Sequence, residues 1–395
     1  MKRGLSLNTS AHIVMAASAA ARITKVVANK GHQKTAFPNA SKSLNDQNMS
    51  AALKEISSWP GYRPTPLHSL SDIAAACGVK AVLYKDEAPR FGLGSFKALG
   101  GSYAVANLIS AQETLGIKAS DITVATATDG NHGRSVSWGA KLAGCTAKIY
   151  IHENVSVARE QAMQSFGADV IRVGGNYEAS LAACKSASET NGWHIVSDTS
   201  WEGYQDIPLQ VMAGYSVMSN EVLKQMEGMQ LTHAFLPVGV GGLAAGIVAP
   251  LWQSMGDKLC KVISVESDMS DCFLRSIKAQ TPILLEISKE TLMAGLSCGE
   301  VSQLAWDVLH PTLSHCLSIT DDAVAPLMRF LGFGLGDNLS IEAGECSTAG
   351  LAALMAAKRD PGLWLDLEFD ENSVVLLIGT EGATDPELYQ SIMSN

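Results

Sequence analysis

A chain of 395 residues is long enough for a large buried core and for more than one domain. With 47% hydrophobic and 17% charged residues it has the make-up of a globular protein, and a net charge of −10 argues against a broad basic face for nucleic acid. The 8 cysteines are scattered with no C-x-x-C pair, so neither a zinc ribbon nor a thioredoxin-type centre is expected and no metal site is assigned. Most are expected to be reduced and buried, as in a cytoplasmic enzyme, with Cys272 and Cys298 the one pair considered able to meet.

No apolar run reaches the roughly 20 residues of a membrane-spanning helix. Met1-Lys2-Arg3 followed by AHIVMAASAAA has the outline of a secretory signal, but its apolar stretch is short and contains His12. Residues 1–55, rich in Ala, Ser, Asn, Lys and Gln and without a strand pattern, read instead as an arm or cap. The compact fold is expected to begin at GYRPTPLHSL (61–70), where Pro64 and Pro66 impose an extended path.

From there, strands are expected at 81–85, 122–126, 147–151, 169–173, 233–238, 261–265 and 373–378. Most are apolar at nearly every position, as strands covered on both faces are. Helix-length segments separate them. In 96–112, for example, Leu99, Tyr103, Ala106 and Ile109 recur at helical spacing. Alternation of this kind predicts an α/β fold of open, mostly parallel twisted sheets flanked by helices. Ligands in such folds bind at the carboxyl ends of the strands, where glycine-rich turns open helices.

FGLGSFKALGGSY (91–103) is the first such turn. Ser95 suits an N-cap, which puts Lys97 in the first helical turn beside Phe96. An ammonium gains nothing from that end of the helix dipole, so Lys97 is expected to lose its proton easily, as a Schiff-base lysine must. A solvated surface lysine remains open from this segment alone. In ATATDGNHGRSVSWGAKLAG (125–144), Asp129 and Asn131 project from a turn at a strand end, with helix capping as the alternative and His132 reading as scaffold. In VSDTSWEGYQDIP (196–208), Asp198 follows a short strand, with loop capping as the alternative, and Trp201 and Tyr204 are able to wall a pocket. PVGVGGLAAG (237–246) lets the amides around Gly239, Val240, Gly241 and Gly242 converge on an anion. Its spacing departs from G-x-G-x-x-G and there is no G-K-[ST], so a phosphate cup fits better than a dinucleotide or triphosphate site. Finally, VVLLIGTEGATDPELY (374–389) ends a strand at Thr380, whose hydroxyl is placed to meet a heterocycle nitrogen.

In this order, and across about residues 60–390, these segments resemble the fold type II family of pyridoxal-phosphate enzymes, which includes threonine dehydratases and cysteine synthases. GYRPTPL, RFGLGSFKALGGSYA, TATDGNHGR and DTSWEGYQDIP, with AGLSCGE (294–300) and TEGATDP (380–386), resemble the diaminopropionate ammonia-lyases in particular. The resemblance implies pyridoxal 5'-phosphate carried on Lys97, with Phe96 beside it, Asn131 at its phenolic oxygen, its phosphate on Gly239–Gly242 and Thr380 at its pyridine nitrogen. It implies a large cofactor-binding domain (56–104 and 221–395), a small domain (105–220) and a homodimer.

The same resemblance makes Asp129 informative, because hydroxy-amino-acid dehydratases carry a small residue or Ser before the Gly-Asn. An aspartate there complements a β-ammonium and suits acid–base work. Asp198 corresponds to a second acid, so both D and L substrates could be deprotonated. The implied reaction is α,β-elimination of ammonia from 2,3-diaminopropionate to aminoacrylate, then pyruvate. A serine, threonine or 3-hydroxyaspartate dehydratase is the nearest rival, and a non-catalytic cofactor-binding protein a distant one. Cys346 departs from the pattern, which has serine there.

Overall fold

In the computed structural model, residues 16–33, 44–128, 130–334 and 339–394 are described. The basic start of the arm (1–15) and Asp129 lie outside the described residues. The strands are β1 (Ile23–Ala28), β2 (Leu67–Ser69), β3 (Ala81–Asp86), β4 (Thr123–Ala127), β5 (Thr146–His152), β6 (Asp169–Val173), β7 (His194–Ile195), β8 (His233–Pro237), β9 (Lys261–Ser267), β10 (Leu313–Ile319) and β11 (Val374–Gly379). They build a 7-stranded sheet in the order β1-β10-β9-β8-β11-β3-β2 and a 4-stranded sheet in the order β6-β5-β4-β7.

The expected α/β class is what forms. β8 and β11 are buried at every position, as strands covered by helices on both faces must be. Pairing is parallel from β10 through β9, β8 and β11 to β3, and throughout the smaller sheet. The two antiparallel strands sit at the edges: β1 on β10 and β2 on β3.

Strands β1, β2 and β10 were not among those expected, and β1 and β10 escaped for different reasons. The 1–55 segment was expected to hold no strand, yet Ile23–Ala28 forms one; its alternating half-buried and exposed residues cover the edge of the sheet with one face only. β10 (LSHCLSI) is buried throughout, but Ser, His and Cys interrupt its apolar run. Ser314 answers for its polarity by donating to the Val262 carbonyl at 3.0 Å.

The helix Lys97–Thr114 crosses the helix Asp206–Gln225 at backbone contact. A Cβ on Gly214 would lie 2.4 Å from the Leu99 carbonyl oxygen, and one on Gly100 would lie 2.4 Å from the Tyr215 ring. A charged cluster ties the second of these helices to β3 and the segment after it. Arg90 donates to Glu87 and Glu221, at 2.8 Å to each, and Lys85 donates to Glu221 at 2.7 Å, all of it buried. Thr65 joins them, accepting from Arg90 at 3.0 Å. No helix among the described residues is long and apolar enough to cross a membrane.

Because the contact at Gly214 is with backbone, no side-chain rotation relieves it. Gly214→Ala should destabilise the protein by about 1–3 kcal/mol, an overpacking cost. Thermal unfolding followed by circular dichroism should show a melting midpoint lowered by a few degrees.

Candidate active site

The sequence-singled residues come together because each follows the carboxyl end of a parallel strand. Lys97 lies beyond β3, Asn131 beyond β4, Asp198 beyond β7, Gly239 beyond β8 and Thr380 beyond β11. The two sheets thus point their strand ends at one place.

Lys97 opens its helix, but Ser95 does not cap it. Phe96 is the N-cap, and Ser95 bridges instead to Glu381 across the site. The loop before it coils tightly, with Phe91, Gly92 and Gly94 all at positive φ. Phe96 is buried and meets Tyr215 edge-on at 4.8 Å.

The Lys97 ammonium makes a short ion pair with the Asp198 carboxylate. This reverses the expectation of an easily lost proton. Burial pulls the Lys97 pKa down, but the Asp198 charge outweighs it and holds the ammonium above its ordinary value. The same contact overrides the burial of Asp198 and holds its carboxyl well below the usual range. A single close counter-charge in a half-enclosed site is stronger than the partial charge of a helix end.

Trp201 and Tyr204 shape the Asp198 loop. Their rings stack at 4.2 Å and their backbones pair with each other. The Tyr204 hydroxyl donates to Ile195 O at 2.7 Å and accepts from Ser197 N at 3.1 Å, clamping the end of β7.

The glycine turn forms a cradle. The helix Gly242–Met255 starts on Gly241, which adopts φ +98 and leaves the helix with no side-chain cap. A Cβ on Gly241 would come 2.7 Å from Phe273, and one on Gly239 would come 2.9 Å from the Cys298 sulfur. Val240 fixes the turn by accepting from Ser302 N at 2.9 Å. Cys272 reaches the Gly239 carbonyl at 3.9 Å, so both cysteines of the considered pair lie at this turn without a disulfide joining them.

On the opposite side, Asn131 does not cap its helix, which starts on Gly130; its amide donates to Glu381. Thr380 is buried with its hydroxyl 3.3 Å from that of Ser347. Asp129 lies outside the described residues.

Reading the sequence missed Glu381, Glu345 and Tyr215. Glu381 contacts Asn131 and accepts from Cys346 N at 3.3 Å; its position after Thr380 at a strand end was the available signal. Tyr215 looks like any core aromatic in the middle of a helix. Its hydroxyl nonetheless has no partner, and nor does His132 Nδ1, although both residues are buried.

The chain matches the family described as "Pyridoxal-phosphate dependent enzyme" over residues 58–379. It belongs to that family. It is 37% identical over 349 residues to a diaminopropionate ammonia-lyase of Escherichia coli (strain K12), spanning 84% of this chain and 88% of that protein. Two crystal structures of the Escherichia coli ammonia-lyase superpose over 94% of this chain and 97% of theirs. One, in complex with D-serine, gives a TM-score of 0.86 at 34% identity. The other, in complex with an aminoacrylate-PLP azomethine reaction intermediate, gives 0.85 at 35%.

The residues suit the family's cofactor. An uncapped helix start on a crowded glycine turn is a site for a phosphate. Beside it stand a lysine amine, the Thr380 hydroxyl and buried polar atoms still lacking partners.

Glu345 adds a pH dependence. Burial, and then the charge of nearby Glu381, push its carboxyl up to about 7 from an ordinary 4.5. The folded chain therefore binds this proton more tightly than the unfolded chain. The stability it contributes is complete below 4.5 and is lost as pH rises to about 7. Melting curves at about pH 5 and about pH 8 should show a drop that is smaller in Glu345→Gln than in the wild type.

Proposed function

We propose that this protein eliminates ammonia from 2,3-diaminopropionate, of D or L configuration or both. The product, 2-aminoacrylate, hydrolyses to pyruvate and a second ammonia. The observation that carries the reading is the Lys97–Asp198 ion pair beside a glycine phosphate cradle. Whole-length similarity to ammonia-lyases supports it.

When bound, pyridoxal phosphate supplies an electron sink for charge developing at the substrate's Cα. In this reading Lys97 holds it covalently, Gly239, Val240, Gly241 and Gly242 take its phosphate, Asn131 its phenolic oxygen and Thr380 its ring nitrogen, with Phe96 alongside. A hydroxyl partner leaves that nitrogen unprotonated, which favours elimination over transamination.

Asp198 keeps the free Lys97 amine protonated and oriented. Once that nitrogen is no longer an ammonium, the carboxylate loses its cation and its proton affinity rises, which fits it to take the α-proton. Asp129, two residues before Asn131, serves as the second acid–base group and as counter-charge to the β-ammonium. The β-amine leaves Cβ as ammonia.

We propose residues 56–104 and 221–395 as the cofactor-binding domain, whose sheet Ile23–Ala28 extends at one edge, and 105–220 as the small domain. In this reading the protein works as a cytoplasmic homodimer without nucleic acid or membrane as partner, its net charge of −10 bearing on the nucleic acid alone. D-serine in the relative's structure favours a dehydratase as the second reading.

Pyruvate release from diaminopropionate and from serine separates the two. Diaminopropionate should be turned over about 100-fold faster, and a faster rate on serine would overturn the proposal. Asp198→Asn should lower kcat on at least one enantiomer by about 100-fold or more, the scale of a lost general base.

A further inference from the structure

His132 occupies a place that packing alone does not explain. Its ring is buried between its own helix, the helix carrying Lys97 and the segment after β7. Nε2 lies 2.9 Å from the Val196 carbonyl oxygen. A carbonyl only accepts, so Nε2 carries the hydrogen. Burial pushes the ring's pKa below its ordinary value, opposed by Asp198 and reinforced by Lys97, so the ring is neutral. Nδ1 is therefore a bare lone pair. It has no hydrogen-bond partner and points at Asp198 Oδ2 from 4.0 Å.

A lone pair 4.0 Å from an ionised carboxylate oxygen gains nothing from it. The same oxygen, Oδ2, is the one that contacts the Lys97 ammonium. Lys97 and His132 thus face one atom with opposite demands: the ammonium favours Oδ2 without a proton, the imidazole favours it with one. We infer that His132 is a positioning residue for Asp198, its Nδ1 accepting the O–H of the carboxyl after Asp198 has taken the α-proton. The inference rests on the proposed role of Asp198 as a base. The proton moves from Cα to Oδ2 and is held as Oδ2–H···Nδ1. The Cβ–N bond breaks, ammonia departs, and it takes that proton away as ammonium, leaving Asp198 ionised again. An approach of about 1 Å, within reach of a side-chain rotation, turns the 4.0 Å separation into a hydrogen bond.

Two measurements test this. Each enantiomer of diaminopropionate, with hydrogen or deuterium at Cα, is supplied to wild type, Asp198→Asn, His132→Phe and His132→Asn. His132→Phe should lower kcat about tenfold on the enantiomer that Asp198→Asn impairs, the loss expected for one hydrogen bond to a reacting group. It should raise the deuterium effect there and leave KM, cofactor absorbance and the other enantiomer unchanged. His132→Asn, which keeps an acceptor, should recover most of the rate. Equal loss on both enantiomers, or none, overturns the inference.

The second measurement is the ¹⁵N spectrum of the His132 ring without substrate. Nδ1 should appear unprotonated and free in the wild type, and hydrogen-bonded in Asp198→Asn, whose amide donates as the protonated acid would. A proton on Nδ1 in the wild type, or no change in the variant, overturns the contact itself. If Asp198→Asn spares both enantiomers while the ring signal shifts as expected, the base assignment fails and the contact stands.

Discussion

The guanidinium of Arg90 is fully enclosed, and it is accommodated because Glu87 from its own segment and Glu221 from the helix Asp206–Gln225 close on it together. Lys85 on β3 shares Glu221, so two cations and two carboxylates balance within one buried cluster. Removing one partner of such a cluster strands a charge, at about 3–5 kcal/mol. The cluster stands immediately before the coiled loop that leads to Lys97. It fixes where that loop leaves β3, and the Gly100–Tyr215 and Gly214–Leu99 contacts fix the helix that follows. The position of the lysine nitrogen is set by both.

From that anchor the site is assembled by topology. Five parallel strands of the two sheets, β3, β4, β7, β8 and β11, each lead into one of the groups. The groups then tune one another. Asp198 outweighs both burial and helix dipole at Lys97, so the resting pair is charged. In the proposed mechanism, engagement of the Lys97 nitrogen removes the cation and releases a base. His132 faces the same carboxylate oxygen, and its lone pair is of use only after the proposed proton transfer. Under that proposal the resting and working states of Asp198 have different partners, Lys97 and His132, both already near its carboxylate.

The sequence revealed the central sheet and the turns because buried parallel strands and glycine-to-helix junctions are local patterns. Lys97, Asn131, Asp198, Gly239 and Thr380 each sit at such a junction, and the structure brings them together. What escaped was of another kind. β10 is buried although its polar residues break the apolar run, and β1 shows only the weak alternation of an edge. The raised Lys97 pKa depends on a carboxylate 101 residues away, beyond any local rule. Tyr215 and His132 are ordinary core residues by pattern, and only the missing partners of their polar atoms set them apart. Cys346 stands against the Glu381 carboxylate in a fully buried place, and nothing in the structure explains why cysteine rather than serine occupies it.

The central claim is that Lys97 Nζ carries pyridoxal phosphate. Borohydride reduction of the holoprotein fixes that linkage, and digestion with mass spectrometry locates it. The pyridoxyl mass should fall on the peptide containing Lys97 and nowhere else. Its appearance on another lysine, Lys85 included, or on no peptide at all, would contradict the account.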